Sequence, residues 1–137
     1  MKRDSSPHTI RLRGPSKLLW LRNGTQQAEL RVHIPCEIAP DLFELDEISS
    51  DDTFVLRRNF GMPTGLDESQ CVTLSVSEFE KVSRVVLNRD TDSEVALDIR
   101  AGSISLEVTQ SLRTQNRVEF EFQTLPAVAG QVQLVIE

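Results

Sequence analysis

Carboxylates are the most abundant ionisable groups in this chain, with 21 Asp and Glu against 15 Lys and Arg and two His. Glycoside hydrolysis needs two carboxyl groups roughly 5 to 9.5 Å apart across the scissile bond. Three pairs have suitable spacing: Glu78/Glu80, Asp90/Asp92 and Glu119/Glu121. The i, i+2 spacing of the last pair puts both acids on one strand face. Val118, Phe120 and Phe122 claim the opposite, inward face, so Glu119 and Glu121 are expected in solvent as surface charge. No burial pattern sets either acid apart from its partner, as acid–base work requires. Glycosidase activity is therefore not expected from this chain alone.

Other reactive constellations are thinner. Acyl transfer needs a nucleophile with a His base and an orienting acid. The two His residues are His8, near the terminus, and His33, in an alternating segment, and no Gly-x-Ser-x-Gly elbow is present. His33, Cys36 and Cys71 are three potential metal ligands, but structural zinc wants four, usually in tight pairs, and Pro35 intervenes. His33 reads as an exposed strand residue or a core-edge histidine. Asp51, Asp52, Asp90 and Asp92 offer hard oxygens for calcium without the spacing of a calcium loop. No cofactor is implied, and structural calcium stays open on ligand type alone.

Saccharides bind by stacking on Trp or Tyr, with amides, carboxylates and arginines fixing the hydroxyls. The chain has one Trp, no Tyr and six Phe. Phe54, Phe60, Phe120 and Phe122 are wanted by the core, whereas Phe43 and Phe79 lie in or beside loops. Trp20 is in the apolar run Leu18–Leu21, where burial is the default. The candidate ligand-contacting set is Trp20 or Phe79 as platform, flanked by Asn88 and Arg89. Arg57 and Arg58 must point to opposite faces of their strand. The expectation is a sheet edge or a structural ion pair for them.

The elements that must position these groups read as strands. Apolar residues alternate at Ile10/Leu12, Leu30/Val32/Ile34, Val72/Leu74/Val76 and Val95/Leu97/Ile99. They do so again at Ile104/Leu106/Val108, Val118/Phe120/Phe122 and Val132/Leu134/Ile136. Leu18–Leu21, Phe54–Phe60 and Val85–Leu87 are less regular candidates, for nine or ten strands in all. Turn clusters at Asn23-Gly24-Thr25, 61–65 and 88–92 separate them. One helical turn is expected at Thr109–Arg113. Short strands with one apolar face each predict an all-β chain, two antiparallel sheets packed face to face.

At 137 residues the chain suits one domain, 1–137, with residues 1–8 frayed. Its net charge of −6 argues against nucleic acid, and no apolar stretch is long enough for a membrane helix. With no secretion signal visible, a cytoplasmic location is expected. Charge is uneven: residues 1–34 hold seven bases and two acids, and residues 35–52 seven acids and no bases. The acidic stretch, extended to 35–53 with its flanking residue, reads as a long solvated connection. Cys36 and Cys71 read as small buried hydrophobes, and a disulfide would need an oxidising compartment.

The order of motifs over 54–122 resembles a known domain. Phe54–Phe60, a turn through Pro63, Val72–Val76, Val82–Asn88, Leu106–Leu112 and Asn116–Phe122 follow one another as in the jelly-roll sugar-binding domain of family-2 glycoside hydrolases. That domain is a branch of the galactose-binding-domain-like superfamily. Ile10–Pro15 and Val32–Pro35 fit its opening strands. The chain departs from the pattern at Asn88-Arg89, where Asn-Gly is usual, and at Ser16, where Trp is usual. It departs again at Glu107 and Gln110, where Asp is expected. The catalytic carboxylates of those enzymes lie in a barrel this chain lacks. The resemblance implies a jelly-roll β-sandwich that acts as a non-catalytic binding module, with carbohydrate the first ligand class. The alternative is a protein–protein interaction or structural domain that kept the fold and lost the sugar site. The partner is then carbohydrate or another protein, neither nucleic acid nor membrane, and the oligomeric state is left open.

Overall fold

The computed structural model describes residues 8–39, 42–43, 50–77, 79, 82–98 and 104–137. Among these residues twelve strands follow in chain order: β1 (His8–Arg11), β2 (Gly14–Arg22), β3 (Thr25–Ile34), β4 (Cys36–Glu37), β5 (Asp52–Gly61) and β6 (Val72–Ser77), then β7 (Val82–Leu87), β8 (Val95–Asp98), β9 (Ile104–Glu107), β10 (Gln115–Phe122), β11 (Val128–Ala129) and β12 (Gln131–Ile136). The expected helical turn is a 3-10 turn at Thr109–Ser111. A six-stranded sheet runs β3-β2-β5-β10-β7-β8 and a four-stranded sheet β1-β12-β6-β9, while β4 and β11 form a short ribbon. All pairings are antiparallel. The chain is an all-β antiparallel sandwich.

Alternation explains the core. Leu18, Phe54, Leu56, Val85, Phe120 and Phe122 of the larger sheet meet Val72, Leu74, Val76, Val132, Leu134 and Ile136 of the smaller, all buried in one cluster. The β2–β3 hairpin turns at Asn23 (φ 53°) and Gly24 (φ 78°), the left-handed pair that a two-residue turn matched to strand twist requires.

Several expectations change. His8 opens β1 rather than belonging to a frayed end, and residues 1–7 lie outside the described residues. Of the stretch 35–53, Cys36–Glu37 pairs with β11, and Asp52 and Thr53 belong to β5. Residues 40–41 and 44–49 lie outside the described residues. Asp52 is fully buried, not solvated, because Trp20 Nε1 donates to its Oδ1 at 2.8 Å and Arg22 Nε does so at 2.9 Å. Both cysteines are free thiols, Cys36 half-buried and Cys71 exposed, so Cys71 is not the buried hydrophobe expected. Burial pushes the Cys36 thiol pKa up, and a hydrogen bond with Glu107 does the same for Cys71.

Candidate binding face

The larger sheet has a second face, turned away from the core, and it is not an ordinary solvent face. Leu19, Val55 and Val86 point to it yet are only 2%, 8% and 1% exposed. They alternate with core residues in β2, β5 and β7, which is why those segments read as unbroken apolar runs rather than as clean alternation.

In the middle of this face lies Glu119, 4% exposed. Register places it opposite Arg57 of β5 and Val86 of β7. Arg57 Nη2 lies 3.0 Å from Glu119 Oε2, and Arg89 Nε donates to Glu119 Oε1 at 2.9 Å. Arg89 also pairs through Nη2 with Glu121 Oε2. Burial alone would lower the pKa of Arg89, but its hydrogen bonds to Glu119 and Glu121 outweigh that and raise it. The expectation of Glu119 as surface charge is thus corrected. The face was read correctly from the period, but Arg57 from the neighbouring strand and Arg89 from the turn after β7 close over the carboxylate.

Asn88 fixes where Arg89 can reach. It is buried with φ 54°, the left-handed region that Asn tolerates better than most residues. Its Nδ2 donates to Ser111 O at 2.9 Å and Asn116 Oδ1 at 3.0 Å, while Arg117 N donates to its Oδ1 at 2.9 Å. Without the usual glycine after it, Asn88 still carries the left-handed turn itself and launches Arg89 back over the sheet.

Three clefts adjoin across this surface. One of about 410 Å3 is lined by Leu19, Val55, Arg57, Arg89, Glu119 and Glu121, among others. A second, of about 360 Å3, lies over Pro15, Lys17, Glu29, Arg31, Arg57, Asn59 and Arg117. The third, of about 410 Å3, is walled by Asn59, Asn88, Arg89, Arg113, Gln115 and Arg117. Arg57, Arg89, Asn59 and Arg117 are the shared walls.

The expected site residues do not all converge here. Asn88 and Arg89 line the third cleft together. Trp20 is opposite Phe54, on the core side of the sheet, where its half-buried ring is 6.2 Å from Phe43 and Arg22 stacks over it at 5.2 Å. Phe79 is not an exposed loop aromatic; it is 4% exposed and stacks on Phe120 with centroids 4.7 Å apart. Arg57 and Arg58 are not at an edge, since β5 is third of six strands. Arg57 makes the ion pair described above. Arg58 turns inward at the sheet end and donates through Nη2 to Arg13 O at 2.8 Å and through Nη1 to Asn59 O, and burial lowers its pKa. Sequence reading missed Lys17, Arg31, Asn59, Glu119 and Arg117 as a shared surface, because strand order is needed to bring them together.

Among the described residues no three His, Cys, Asp or Glu side chains group as a metal site, and no helix is long and apolar enough to cross a membrane. Asp52, one of the candidate calcium ligands, is committed to Trp20 and Arg22.

The fold is a β-sandwich similar to part of several β-glucuronidases. The chain is similar to the β-glucuronidase of Ruminococcus gnavus, with TM-score 0.64, 12% identity, and coverage of 98% of this chain but 30% of that one. An uncultured Clostridium sp. β-glucuronidase matches with TM-score 0.61, 13% identity and the same coverages. An FMN-binding β-glucuronidase from Faecalibacterium prausnitzii matches with TM-score 0.61, 14% identity, and coverage of 95% and 22%. The chain thus spans less than a third of the length of these enzymes. No family model matches the chain, and neither does any curated protein. The fold likeness read from the order of its strands is therefore shown at the level of structure.

Proposed function

We propose that this chain is a non-catalytic binding module, with carbohydrate as its ligand class and the outer face of the six-stranded sheet as its site. The observation that carries this reading is the recessed face itself. Adjoining clefts place guanidinium, amide and carboxylate groups around a floor in which Leu19 and Val55 are almost wholly covered and Leu21 is half-buried. Fixed polar groups around apolar surface are the chemistry that orients a saccharide. Glu119 and Glu121, the acids nearest to a glycosidase pair, are both tied to Arg89 and hold that frame in place. That Asn88 and Arg89 both line one of these clefts supports the reading. Trp20 would contribute only from the far side of the sheet.

Thermal unfolding against mono- and oligosaccharides, with and without calcium, tests the proposal. A ligand at ten times its Kd stabilises by about 1.4 kcal/mol, a Tm shift of about 3–6 °C for a domain of this size. A selective shift supports the module. A flat response across the panel overturns it.

One observation favours a second reading. β3 is ten residues long and ends the six-stranded sheet, with only β2 beside it among the described residues. A free edge of that length is a template for strand addition by a protein partner, although its charged side chains oppose pairing. Backbone-amide protection of β3 on mixing with a partner, with no response to saccharides, would select this reading.

A further inference from the structure

We propose that the cleft over β3, β2 and β5 is an anion subsite that receives the carboxylate of an acidic saccharide; this rests on the carbohydrate reading above. The register brings Arg31 opposite Lys17, and Lys17 opposite Arg57, on one face of three neighbouring strands. Directly opposed like charges destabilise a sheet, with Cβ atoms only about 4.5–5.5 Å apart. The row receives little relief from within the protein. Glu119 answers Arg57 but is shared with Arg89. Glu29 answers Lys17 across 3.9 Å, between two exposed side chains. Arg31 meets no carboxylate among the described residues. Among the described residues the Arg117 guanidinium, on the same cleft, donates only to the amide oxygen of Asn59, at 3.1 Å.

This excess is not a reflection of overall composition, because the chain carries a net charge of −6. It is a local excess in a cleft of about 360 Å3, the size range of small-ligand sites rather than of a polyanion track. Guanidinium groups pair with carboxylates in a planar, bidentate fashion, and Arg31, Arg57 and Arg117 supply three of them. The adjoining cleft, sharing Arg57, has Leu19 and Val55 almost wholly covered in its floor and offers the half-buried Leu21 to the apolar face of a sugar ring. A uronate seated with its carboxylate on the basic row and its ring toward that floor would satisfy both.

The test compares a uronate trisaccharide with its neutral methyl ester, sodium sulfate and a short single-stranded oligonucleotide. Each is run by thermal unfolding on the wild type and on the double variant Lys17→Gln/Arg31→Gln. The expected result is a wild-type Tm rise of about 3–6 °C with uronate at ten times its Kd, less than a third of that with the ester. The rise shrinks with added NaCl and is lost in the double variant, whose own ligand-free Tm is equal to or above that of the wild type. Equal shifts from ester and uronate, unchanged in the double variant, overturn the anion subsite and leave the carbohydrate module standing. No shift with either saccharide overturns both. A sulfate shift as large as the uronate shift, or a larger one with the oligonucleotide, overturns the saccharide assignment. The salt dependence of the wild type decides the point if the variant does not fold.

Discussion

Two halves of one sheet face treat charge in opposite ways. Around β10, Arg57, Glu119, Arg89 and Glu121 alternate in sign and close on one another, with Glu119 almost wholly buried. Around β2 and β3, Arg31 and Lys17 continue the same row with like charges in exposed positions. The first arrangement is satisfied without a ligand and holds the surface in shape. The second is left in surplus. The difference teaches where to look for binding: a fold completes its structural ion pairs internally, whereas uncompensated charge in a cleft is chemistry held open for something else.

The comparison breaks most visibly if the paired half is disrupted. Below both halves, Phe79→Ala should cost about 3–5 kcal/mol by urea denaturation, since its ring is stacked in the core. A change near zero would restore Phe79 as an exposed ligand platform and contradict its packing. Glu119→Ala should cost about 2–4 kcal/mol, less than for a fully buried pair because Arg57 and Arg89 keep partial access to water. Its equilibrium denaturation curve should shift accordingly, and Arg57→Ala in the Glu119→Ala background should cost much less than Arg57→Ala alone. Asp52→Asn should cost about 1–3 kcal/mol by weakening the bonds from Trp20 and Arg22, with a change in tryptophan fluorescence. In the unpaired half, Arg31→Gln alone should be neutral or stabilise by about 0.2–0.5 kcal/mol. A loss of 1 kcal/mol or more there would mean that Arg31 is structurally paired and would erase the contrast.

Much of the fold was legible because a strand's period is local. Leu74 with Val76, and Phe120 with Phe122, declare their shared face without reference to any neighbour. The site was legible only in part. Asn88 and Arg89 stand at a turn and line one of the clefts, but Trp20 and Phe79 were judged as single aromatics, and one aromatic between strands has no period to say which way it faces. Glu119 was given the correct face and the wrong environment. Solvent was assumed beyond the sheet, although Leu19, Val55 and Val86 break the alternation in three strands. That departure is the sequence signal for a face that is covered or recessed. The Arg31–Lys17–Arg57 row has no local signature at all, since it exists only once β3, β2 and β5 are aligned in register.

The most direct test of the binding face is an amide chemical-shift titration of the 15N-labelled protein with a uronate trisaccharide. The account predicts perturbations concentrated at Lys17, Leu19, Arg31, Val55, Arg57 and Arg117, with the smaller sheet unmoved. Perturbations confined to the smaller sheet or to the Trp20 indole, or none at saturating ligand, would contradict it.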